Sequence, residues 1–113
     1  MAERNYAKAR LESRNALQID EKDAAARTLL GEAAEGFGLY EEAVQNYRYA
    51  LVLDPEQEKA RARLGRLMVM GGVPEQALEL VATGLEKNPQ SADLLSVRAA
   101  AELMQGEAEA ARK

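Results

Sequence analysis

Residues 39–55, LYEEAVQNYRYALVLDP, return 34 positions later as residues 73–89, VPEQALELVATGLEKNP. Ala43 is answered by Ala77, Tyr47 by Val81, Ala50 by Gly84 and Pro55 by Pro89. A fixed period of this length means that one supersecondary unit is laid down repeatedly, each copy burying its apolar face against a neighbour. The register also extends backwards: residues 5–21, NYAKARLESRNALQIDE, occupy the same columns, with Glu21 where the prolines stand. Any fold for this chain must therefore use one local structure three times.

That structure is helical. Ala, Leu, Glu, Arg and Gln, all strong helix formers, fill most positions between the short breaks. Across residues 2–18, Tyr6, Ala9, Ser13, Ala16 and Leu17 recur at helical spacing, with Arg4, Lys8, Arg10, Glu12 and Arg14 mostly on other faces, which predicts an amphipathic helix. Asp20 or Asp23 is placed to cap a second helix over residues 24–36, which carries Leu29, Leu30, Ala33 and Ala34. Gly36 and Gly38 bracket Phe37 and end it. A helix over residues 40–53 should bury Ala43, Val44, Tyr47, Ala50 and Leu51 until Asp54, held out of the α region by Pro55, stops it.

The punctuation then repeats. A helix over residues 56–70, begun by Pro55, runs through Ala60, Leu64, Gly65, Leu67 and Met68 and closes at Gly71 and Gly72. Pro74 suits a first helical turn, and the helix it opens carries Ala77, Leu78, Val81, Gly84 and Leu85 before Asn88 and Pro89. Ser91 caps the last full helix, residues 92–105; Gly106, in the column of Gly38 and Gly72, is expected to break the chain before a short further helix over residues 107–113. The fold class expected is all-α: about six helices in antiparallel hairpins plus a C-terminal stub.

Composition excludes several functions. With no His, Cys or Trp, the commonest bases, nucleophiles and transition-metal ligands are absent, so neither an enzyme nor a metal or cofactor site is expected. Glu41 and Glu42, and Glu107 and Glu109, sit at helix starts, where the dipole favours acids, and read as structural rather than as catalytic pairs. Gly36 to Gly38 and the Gly71, Gly72 pair follow no strand and carry no lysine, so they are turns and not phosphate cradles. Met68, Met70 and Met104 read first as core filler. A net charge of −4 with interspersed signs disfavours nucleic acid, and no run has the length of a membrane span or signal peptide. Lack of cysteine removes disulfides without choosing a compartment; cytoplasmic is the default, periplasmic the alternative for a piece of an exported protein.

Leu30 and Gly31 followed by Ala43, Tyr47, Ala50 and Pro55, and Leu64 and Gly65 followed by Ala77, Val81, Gly84 and Pro89, resemble the tetratricopeptide repeat, a 34-residue helix pair with small residues at its crossings and a closing proline. The resemblance covers the whole chain as a half repeat over residues 1–23, full repeats over 24–57 and 58–91, and a partial repeat over 92–113 with Ala99 and Gly106 in column. Arg27 and Arg61 depart from it where the family often has Trp or Leu, and Arg98 and Glu102 fall in the columns that hold Leu30 and Ala34 two units back. The family implies a right-handed α-solenoid that binds a protein or peptide in a concave groove lined by the first helix of each pair.

By column that groove would present Thr28, Glu32 and Glu35, then Ala62, Arg63, Arg66 and Met70, then Ser96, Ala100 and Leu103. The charged members also read, with greater weight, as an ordinary solvated face paired at helical spacing. Relatives that clamp a terminal carboxylate use Lys and Asn where this chain has Thr28, Glu32, Ala62 and Arg66, so that activity is not implied. A rival expectation is self-assembly. The chain opens on a second helix bearing Tyr6, Leu11 and Leu17 and leaves Leu95, Val97, Leu103 and Met104 little cover, as in a piece of a longer array or a homodimer joined through terminal helices.

Overall fold

The computed structural model describes residues 7, 8, 11, 12, 14, 15 and 23–112. They are all-helical: α1 (Ala24–Gly36), α2 (Tyr40–Leu53), α3 (Glu58–Met70), α4 (Pro74–Lys87) and α5 (Ala92–Arg112) follow in order, with no strand among the described residues. Of the helix expected over residues 2–18, Ala7, Lys8, Leu11, Glu12, Arg14 and Asn15 are helical. Tyr6, Ala9, Ser13, Ala16, Leu17 and Asp20 lie outside the described residues. The chain forms two compact units, Met1–Ala60 and Arg61–Lys113.

In the first unit α1 and α2 pack at a crossing that has no room for a side chain at Gly31, where a Cβ would run into the Tyr47 ring. Tyr47 is fully buried, as are Ala33, Ala43 and Ala50. Small residues let the helix backbones approach, and the large ring then fills the gap between them. Burial obliges the phenol to find a partner, and its hydroxyl donates to Glu35 Oε1 at 2.7 Å. Asp23 is the N-cap, accepting from the Ala26 amide at 3.0 Å. Leu29 faces outward and is 40% exposed.

The second unit repeats the device with different side chains. A Cβ on Gly65 would lie 2.9 Å from Val97 and 3.2 Å from Val81, so α3 touches both α4 and α5 there. Ala62, Ala77, Val81, Leu94, Val97 and Ala101 form the core, with Met68, Val69, Leu78 and Leu85 packed against it. Gly84 is required because a Cβ there would lie 2.7 Å from both the Arg61 Cδ and a Leu94 methyl. Arg61 is itself buried and donates to the Leu80 carbonyl at 3.0 Å. Desolvation pulls its pKa below the ordinary value, yet arginine stays charged in proteins. Ser91 caps α5 through the Leu94 amide at 3.3 Å.

Both hairpin turns are built alike. After α1, Gly38 (φ 78°) donates to the Glu35 carbonyl and Leu39 to that of Ala34; after α3, Gly72 (φ 81°) donates to Val69 and Val73 to Met68. These are Schellman closures, which use a left-handed residue and an apolar residue after it. Gly106 does not form the third. α5 runs through it to Arg112, so the expected break and separate helix over residues 107–113 are replaced by one continuous helix. The residue after Gly106 is Glu107, not the Leu39 or Val73 of the earlier turns, and the following EAEAAR favours helix. α3 also starts later than expected, at Glu58, because Asp54 Oδ1 accepts from the Glu56 amide and holds Pro55 and Glu56 in a turn.

Gly65→Leu should destabilise the protein by about 2 kcal/mol or more through overpacking against Val81 and Val97. Exposed, helical Gly36→Ala should stay within about 0.5 kcal/mol of the parent. Equal urea midpoints for the two variants would contradict the crossing. The glycine columns make a second test in the same assay: Gly72→Ala should lose about 1 kcal/mol for its left-handed backbone, while Gly106→Ala, inside an exposed helix, should gain about 0.5 kcal/mol.

Candidate functional site

The residues expected to line a groove divide sharply. In the first unit Thr28 is buried, 4% exposed, and its hydroxyl donates to the Ala24 carbonyl at 3.0 Å. Glu32 is half-buried and pairs with Lys59 at 2.8 Å, and Glu35 accepts from Tyr47. Their polar groups are committed to the unit's own structure. Ala62 belongs to the second unit's core.

In the second unit the remaining candidates flank the place where α3 meets α5. Arg66 adjoins Gly65 and Met70 lies further along the same helix; Ser96, Ala100 and Leu103 are next to or one to two turns from Val97. All five are exposed, Met70 to 63% and Leu103 to 65%, while Arg63 is half-buried. Arg63 and Arg66 each have a polar or charged partner. An exposed thioether, an exposed branched chain and an exposed guanidinium are groups suited to contact with apolar and acidic side chains. On the opposite flank Arg98 and Glu102, the residues out of pattern, pair with each other at 3.5 Å and are exposed, while Ala99, in the column of Gly31 and Gly65, is exposed too.

Sequence reasoning missed a second feature, in the first unit. Arg14, Arg27, Leu30, Glu42, Gln45, Asn46 and Tyr49 surround a cleft of about 570 Å³. Arg27 lies over the Tyr49 ring, 4.4 Å from its centre, and its Nη1 reaches Asn46 Oδ1 at 3.5 Å. Arg27 Nε is buried without a hydrogen-bond partner. The signal was available: Arg27 and Arg61 share a column, as do Asn46 and Leu80, so the same reach spans the same 19 positions in both units. Only the acceptor differs, a side-chain amide in one and a main-chain carbonyl in the other.

Among the described residues no helix is long and apolar enough to cross a membrane. A search of curated proteins returned no match. The sequence model of the tetratricopeptide repeat matches residues 35–101, more than half of the chain, from the last turn of α1 to the middle of α5. The spacing of the crossings, the paired turns and this match agree, and the chain belongs to the tetratricopeptide repeat family.

Proposed function

We propose that the chain is a non-enzymatic interaction module that holds a protein or peptide partner against the α3 and α5 face of its second unit. Tetratricopeptide repeats in general mediate protein–protein interaction. The observation that carries the choice of face is the exposure of Met70 and Arg66 on α3 and of Leu103 on α5, while Thr28, Glu32 and Glu35 of the first unit are buried or engaged internally. Partner recognition concentrates in a few desolvated anchors surrounded by polar contacts. Here Met70 and Leu103 are the anchors, and Arg66 supplies charge selectivity and salt dependence.

The test compares proteins captured by the parent and by a Met70→Ser, Leu103→Ser variant. Both positions are exposed, so urea stability should change by no more than about 0.5 kcal/mol. Removing two anchors should weaken the partner by about tenfold or more, and Arg66→Glu should lower affinity most at low salt. A partner retained with parent affinity by both variants would place recognition elsewhere on the molecule.

A further inference from the structure

The geometry points to a second recognition site, a cleft on the first unit built around Arg27, Asn46 and Tyr49 that takes a glutamate side chain from an extended acidic peptide. The internal repeat serves as its control. The two units share their crossings although the filling side chains differ, as Tyr47 and Val81 do, so the comparison isolates the columns around the shared arginine whose polar chemistry changes. Arg27 is answered by Arg61, but Asn46 and Tyr49 are answered by Leu80 and Thr83. In the second unit the arginine is satisfied by a main-chain carbonyl at 3.0 Å. In the first it makes a long 3.5 Å contact to an amide, has no partner for Nε among the described residues, and holds its guanidinium carbon 4.4 Å from the centre of an aromatic ring that is 44% exposed.

A guanidinium whose face covers a ring still carries its donors in its own plane, and that plane matches a carboxylate. Among the described lining residues, Arg14 brings a second cation to the cleft and Glu42 the one carboxylate, in a chain whose formal net charge is −4. The balance of these described lining residues is positive where the whole chain is negative, which favours an acidic segment here. Exposed Gln45 offers an amide to a peptide backbone, Asn46 holds the arginine in place while its own amide donates to the Glu42 carbonyl at 2.9 Å, and Leu30 offers an apolar wall to glutamate methylenes. A phosphate would have no use for that wall, which glutamate methylenes cover. This site is separate from the α3 and α5 face, and either can fail without the other.

The probe is an N-acetylated, C-amidated hexaglutamate peptide, titrated into the full chain while NMR follows the Arg27 Nε–H and the Asn46 side-chain amide. Saturable shifts at both groups are expected, with none from hexaglutamine or from acetate and inorganic phosphate at equal charge. An Asn46→Leu, Tyr49→Thr variant carries the residues that the second unit folds with, and it should bind the peptide about tenfold more weakly, as should Arg27→Lys, which keeps the charge but loses the fork. Absent shifts, parent affinity in both variants, shifts spread equally over Arg48, Arg66 and Arg98, or an equal response to phosphate would each overturn the assignment.

Discussion

Everything in each unit depends on how closely two helix backbones can approach. Gly31 under the Tyr47 ring and Gly65 between Val81 and Val97 solve the same problem with side chains of very different volume. What is kept is the absence of a Cβ on one helix; what varies is the group that fills the space opposite. A wide ring in the first unit has to place its hydroxyl, which is why Glu35 turns inward to receive it. Two valines from separate helices in the second unit carry no such obligation. The column of Glu35 accordingly holds Val69 in the second unit, an apolar residue packed against its core.

Burying Arg61 shows the same dependence from the other side. Its aliphatic stem runs where Ala50 has a methyl in the first unit, and Gly84 makes the space for it. The charged head ends on a carbonyl near the helix surface, an arrangement in which a long side chain packs as an apolar group along its length and stays solvated or hydrogen-bonded at its tip.

The crossings, the helix order and two of the turns were legible because each depends on residue type at a fixed column, and the period displays columns directly. Gly38, Gly72, Asp23 and Ser91 do what their positions suggest. Gly106 misled because a glycine only permits a left-handed turn; the apolar residue after it and the propensity beyond decide whether the turn is taken. What the sequence did not show is which of the groove candidates are engaged within the unit. Glu32 and Glu35 find partners on other helices, Lys59 and Tyr47, and periodicity within one helix cannot reveal a neighbour contributed by another. Arg27 stood out in the sequence only as a departure from the family pattern that Arg61 shares; the cleft becomes visible when the partners of the two arginines are compared.

The unbroken course of α5 has a consequence for how the protein loses structure. At 1.5 Å per residue its 21 residues extend about 30 Å, but Leu94, Val97 and Ala101, its contributions to the core, all fall in the first half. Residues 106–111 are exposed and draw their order from intrinsic helicity alone. Helix content measured by circular dichroism will therefore decline gradually on warming, as that segment frays, before the sharp transition in which the packed crossings give way. Secondary structure and cooperative core are different quantities in this molecule, and an amide exchange profile along α5 would locate the boundary between them.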